Sequence, residues 1–151
     1  ISACLVGSEM CIRDRIKANA KWIENIRLVV DNARSHSVVC DVQQASEGGD
    51  TGPTALELAL MSLAGCAVTI YADVAKKSGV TLSKLEVTAE AEKSSDLPKL
   101  TNVNMKVNVE GKARKELLEA MWRRTEANCP VLFIFKEPIP VKTELAMKSK
   151  D

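Results

Sequence analysis

The sequence predicts an α+β fold, and three observations carry that prediction. Residues 52–79, GPTALELALMSLAGCAVTIYADVAKKSG, form one long run that is apolar nearly all round and stops at a glycine. Two later stretches, residues 85–92 and 103–110, alternate strictly between apolar and polar side chains. Residues 113–127 then return to helical spacing. The helical and extended periods come in separate blocks, not in βαβ alternation, which is the α+β signature.

Each element has its own local reason. Residues 20–30 and 37–42 are rich in β-branched side chains, with the turn signal Asp31-Asn32 between them, and read as an N-terminal meander. Residues 47–52 form a glycine-rich loop. Pro53 suits a first helical turn, and the helix it opens should run to about Lys77 with Gly79 as its stop. A helix apolar on every side is normally the buried centre of a fold. At about 1.5 Å per residue it would span roughly 35 Å, the width of a small domain.

In the predicted hairpin Leu85, Val87, Ala89 and Ala91 face one way, and Val103, Met105, Val107 and Val109 match them on the second strand. The next helix should turn Leu117, Leu118, Met121 and Trp122 inward and Arg114, Lys115, Glu119 and Arg123 outward. Ile139, Val141, Leu145 and Met147 read as a closing strand. A central helix longer than its sheet can cover leaves apolar surface over, and a second copy is the simplest cover, so a homodimer is expected.

The first residues stand apart. Residues 4–15, CLVGSEMCIRDR, match the translation of a transposase adapter used in building sequencing libraries. Residues 1–15 are therefore expected to be a scar, with native protein, a single domain over 16–151, beginning near Ile16. That leaves Cys40, Cys66 and Cys129 as native cysteines. Roughly 135 residues suffice for one domain with a sizeable core.

A net charge of +1 offers no electrostatic case for nucleic acid or an anionic membrane. The longest apolar run is interrupted by Glu57, Ser62, Gly65 and Asp73, which argues against a membrane span. Few cysteines, odd in number, fit a reducing cytoplasm. One histidine and no CxxC argue against a structural zinc, and no P-loop, GxGxxG or nucleophile elbow occurs, so neither metal nor bound cofactor is expected.

What remains is thiol chemistry. Cys66 lies in the long apolar helix and Cys129 in the segment NCPV that closes the next one. The run GPTALELALMSLAGC, followed about sixty residues later by NCPV and then PIPV, resembles the OsmC/Ohr family of osmotically inducible and organic hydroperoxide resistance proteins. The likeness covers roughly residues 22–147. It implies an intertwined homodimer and a cysteine peroxidase acting on organic hydroperoxides, with Cys66 peroxidatic and Cys129 resolving. It also implies a dihydrolipoyl group or another dithiol as the regenerating reductant.

An apolar pocket disfavours a thiolate, so a nearby cation is needed, and arginine suits because it stays charged when buried. Here the sequence departs from the better-characterised family members. Their pattern has a glutamate ten residues before the reactive cysteine, positioning an arginine, but that position is Leu56 here. Glu57 stands nine before, on the opposite helix face from Cys66. Arg27 is the nearest match for the arginine, with Arg34, Arg123 and Arg124 as other options.

Structural readings compete at each position. Buried cysteine is common as a small hydrophobe, and Cys40 reads as core filler. Glu57 favours the helix dipole whether or not it has a chemical role. His36 reads as a solvated turn residue, and residues 132–135, Leu-Phe-Ile-Phe, as packing in the dimer core in preference to the lining of a pocket for an apolar hydroperoxide. The rival function is a member of the same fold without peroxidase activity that binds a small apolar or thiol ligand.

Overall fold

The computed structural model describes residues 15–149, so the expected adapter segment lies outside the described residues except for Arg15. The chain divides into two compact units, residues 1–58 and 59–151.

The first unit is a three-stranded antiparallel meander, β1 (Asn19–Glu24), β2 (Arg27–Asp31) and β3 (Ser37–Cys40). The sequence reading ran β1 and β2 together. Asn25 separates them with a positive φ of 48°, a conformation that asparagine tolerates. The expected turn at Asp31-Asn32 does join β2 to β3, closed by Asn32 N–H donating to the His36 carbonyl at 3.2 Å. His36 is exposed, as a turn residue should be. A loop with one short 3₁₀ turn, Gln44–Ser46, follows.

The second unit is built on α1 (Ala55–Lys77), which starts in the first. Thr54 and Glu57 open it as a capping box: Thr54 N–H donates to the Glu57 carboxylate at 2.7 Å, and Glu57 N–H to the Thr54 hydroxyl at 3.1 Å. Gly79, at φ 68°, ends it in a Schellman motif, with Val80 N–H reaching the Ala75 carbonyl at 3.0 Å.

The expected hairpin forms from β4 (Leu82–Lys93) and β5 (Leu100–Gly111), pairing Leu85 with Val109, Val87 with Val107 and Ala89 with Met105. Its apolar face packs on Tyr71, Val74, Ala75 and Met121, with Trp122 and Leu118 at the margin. Those last residues belong to α2 (Lys115–Asn128), which is followed by the short helix α3 (Pro130–Lys136).

Four expectations are corrected. Within the chain α1 is buried on one face only, through Leu63, Ala67, Tyr71, Val74 and Ala75, while Leu56 and Met61 are exposed. By length and composition alone α1 is also apolar enough to cross a membrane, despite its interruptions. Leu117 is exposed, because the buried stripe of α2 runs through Met121 and Thr125. The closing strand is absent among the described residues: 137–149 are irregular, and Ile139, Val141, Leu145 and Met147 are 58–81% exposed. A strand needs a neighbour for its N–H groups, and Pro138 and Pro140 remove two of those donors.

Met121 is fully buried where α2 meets α1 and the hairpin. Met121→Ala should lower unfolding free energy by about 2–5 kcal/mol in a denaturant titration.

Candidate functional site

Helical spacing brings the two sulfurs together. On α1 the buried stripe steps through Leu63, Ala67 and Tyr71, and Cys66 stands beside it, partly buried. On α2 the stripe steps through Met121 and Thr125, and four residues on comes Cys129, 1% exposed. Thr125 meets its own burial by donating to the Met121 carbonyl at 2.9 Å. Tyr71 docks the two stripes: its ring is buried against Trp122 and its hydroxyl donates to the Leu118 carbonyl at 3.0 Å.

Cys129 occupies the break between α2 and α3. Its extended backbone (φ −83°, ψ 105°) ends one helix, and Pro130 at the first position of the next needs no N–H partner. Cys66 and Cys129 lie close enough for Cys66 to act on the ionisation of Cys129, and both thiols are free.

The two thiols are not equivalent. Burial pushes the Cys129 pKa up, and Cys66 beside it adds to the rise. The N–H groups of Leu132 and Val131 oppose this, without making a strict capping bond. Cys129 therefore holds its proton, while Cys66 is the more accessible sulfur. Such a pair can pass between dithiol and disulfide.

A cavity of about 510 Å³ opens in the same unit. Leu63 and Leu132, each about one helical turn from a cysteine, line it with Trp122, Phe135, Glu126 and Lys136. Of the apolar residues 132–135, Leu132 and Phe135 line the cavity, the alternative to packing in a dimer core, and Phe133 and Ile134 are exposed within the single chain. Cys40 is buried at 1% in β3, in keeping with core filler.

Arg27 and Glu57 have other company. Glu57 is committed to the capping box, whose bonds hold its carboxyl below the usual range. Arg27, in the first unit, donates from Nη1 to Glu24 at 2.8 Å and from Nε to Asp41 at 3.4 Å. Asp41 was not singled out from the sequence; its one signal is a charge set inside the apolar run Val38 to Val42. Its side chain is 1% exposed, and its carboxylate accepts from the Thr51 hydroxyl at 2.7 Å and from the N–H groups of Val42, Gly49 and Thr51. The Thr51 hydroxyl above all holds this carboxyl well below the ordinary range, against desolvation, with Arg27 adding to it. Among the described residues no cluster of His, Cys, Asp and Glu suits a metal.

Two outcomes follow from these charges. Iodoacetamide at pH 7.5 should modify Cys66 before Cys40 or Cys129, read by peptide mass spectrometry. For Asp41, a depressed folded-state pKa means stabilisation that is full above the ordinary value of 3.8 and is lost as pH falls toward the folded one. Wild-type stability should therefore decline below about pH 4 more steeply than that of Asp41→Asn, measured by urea unfolding at each pH.

Comparison with known proteins agrees with this architecture. Protein YhfA of Escherichia coli K12 is 23% identical over 129 residues, which span 83% of this chain and 93% of YhfA. The crystal structure of an OsmC-like protein from Mycoplasma pneumoniae aligns with a TM-score of 0.73 at 14% identity, covering 82% of this chain and 89% of that one. That of an organic hydroperoxide resistance protein OsmC from Legionella pneumophila aligns with a TM-score of 0.61 at 14% identity, covering 81% and 89%. At such identities the two structures speak for the fold. The sequence pattern of OsmC-like proteins matches residues 48–144, more than half of the chain and including both Cys66 and Cys129, and the chain belongs to the OsmC-like family.

Proposed function

We propose that the protein is a thiol-dependent peroxidase that reduces organic hydroperoxides. The observation that carries this reading is the contact between Cys66, partly exposed, and Cys129, buried and protonated beside it. The hydroperoxide-resistance name of the Legionella relative points the same way.

In the first step the Cys66 thiolate attacks the outer oxygen of the hydroperoxide and the O–O bond breaks. The departing alkoxide takes a proton and leaves as an alcohol, and Cys66 becomes a sulfenic acid. Cys129 then attacks that sulfur, forming the Cys66–Cys129 disulfide and releasing water. An external dithiol, of the dihydrolipoyl type, reduces the disulfide and is itself oxidised to a disulfide. With Cys129 as its neighbour, sulfenic acid on Cys66 is trapped before further oxidant can convert it to irreversible acids.

The cavity lined by Leu63 and Leu132, each about one helical turn from a cysteine, and by Trp122 and Phe135 suits the apolar body of an organic peroxide. Arg27 is our choice for the cation that favours the Cys66 thiolate, since it is the only arginine among the described residues that is not exposed. The uncovered face of α1 supports a homodimer, and we treat residues 16–151 as one functional domain working in the reducing cytoplasm.

One equivalent of cumene hydroperoxide added to reduced protein should yield a Cys66–Cys129 disulfide within seconds, mapped by mass spectrometry. Cys66→Ser should abolish peroxide consumption; a variant that consumes it as fast as wild type would leave only a ligand-binding member of the family. Arg27→Lys, which keeps charge but loses the planar fork, should slow the reaction. Sedimentation should give twice the mass of the chain.

A further inference from the structure

Two free thiols held side by side in the second unit are also a donor set for a metal. Cys66 follows Leu63 by three residues on α1, and Cys129, at the head of α3, precedes Leu132 by three. Leu63 and Leu132 line one cavity, so both cysteines stand where the same elements meet. Cys129 is 1% exposed, while Cys66 is half-buried and gives an ion from solvent a way in. Among the described residues no third His, Cys, Asp or Glu joins the pair in a cluster able to hold a metal. The thioether of Met121 is packed elsewhere, in the core with Tyr71, Val74 and Ala75.

Such a set selects its ion. Structural zinc takes four ligands, and calcium and magnesium take oxygens, so two sulfurs alone suit none of them. Thiolate sulfur is soft and favours copper in its monovalent state, a filled-shell ion satisfied by two ligands in line. We propose that Cys66 and Cys129 form a two-coordinate thiolate site for Cu(I). Binding is an exchange without electron transfer: each thiol releases its proton to solvent and each sulfur forms one bond to copper. The complex keeps one negative charge where the bare dithiolate would carry two, which a buried position tolerates better. Only the reduced pair can bind, and an occupied pair has no free sulfur for another reagent. Metal and hydroperoxide therefore compete for one dithiol. That competition rests on the peroxidase reading; the site itself does not.

The test titrates reduced protein without oxygen with Cu(I) held by bathocuproine disulfonate, whose colour reports the copper it keeps, and examines the loaded protein by copper X-ray absorption. One Cu(I) per chain should leave the chelator, and the absorption fine structure should show two sulfur ligands. Cys66→Ala and Cys129→Ala should each weaken binding by more than about a hundredfold, since loss of even a supporting residue at a metal site costs up to that much. Cys66→Ala, at a half-buried position, covers the case of a Cys129→Ala protein that does not fold. Cys40→Ala should bind as wild type does. In the loaded protein iodoacetamide should leave Cys66 unmodified.

Copper that stays with the chelator, a nitrogen or a third sulfur in its shell, unprotected Cys66, or full binding by folded Cys66→Ala would each overturn the site and leave the peroxidase reading standing. Copper bound as expected by a protein that consumes no cumene hydroperoxide would remove the peroxidase reading and leave the site.

Discussion

The docking of α1 on α2 through Tyr71 is the contact on which the thiol pair depends. Two helices that are far apart in sequence have a fixed axial offset only if something stops them sliding. Here a buried ring packs at 6.4 Å from Trp122 and ends in a hydroxyl tied to one backbone carbonyl. Ring burial supplies the energy and the hydroxyl supplies the register. Cys66 lies five residues before Tyr71 and Cys129 eleven after Leu118, so fixing that one contact sets where both sulfurs fall. Pro130 completes the arrangement by breaking α2 at the residue where the second sulfur must turn aside.

Much of this was legible in the sequence because period and face are local properties. The alternation of Leu85 to Ala91 and of Val103 to Val109 marks one apolar face on each strand, and the hairpin pairs the two faces on the same side. The limits of α1 followed from Pro53 and Gly79, and the two cysteines from their motifs. What stayed hidden was set by contacts that leave no periodic trace. Asp41 reads as a charge misplaced in a strand, and its meaning appears only when Thr51 and the Gly49 backbone fold back over it. Pro130 reads as an ending, yet it opens a further helix. Leu117 fits an inward stripe as well as Leu118 does, and the hairpin decides between them. The closing strand failed because alternation states which face is apolar but not whether a neighbouring edge exists to receive it.

The two units use different means to fix their parts. In the second, apolar interdigitation dominates around Tyr71, Val74, Ala75 and Met121. In the first, a single buried carboxylate gathers one hydroxyl, three amides and a guanidinium, and its strength lies in having all its lone pairs engaged. Such a network is specific in direction, which packing alone is not. Acid undoes it, whereas the apolar contacts are indifferent to pH.

The stretch from Pro138 to Met147 exposes four large apolar side chains at alternate positions, a composition that invites strand addition by any chain with an open edge. Two prolines near its start and the intervening Lys142 and Glu144 act as gatekeepers: they deny hydrogen-bond donors and set charges where an unrelated strand would have to lie. Those residues bias the segment away from aggregation and toward whichever surface can tolerate both its kinks and its charges.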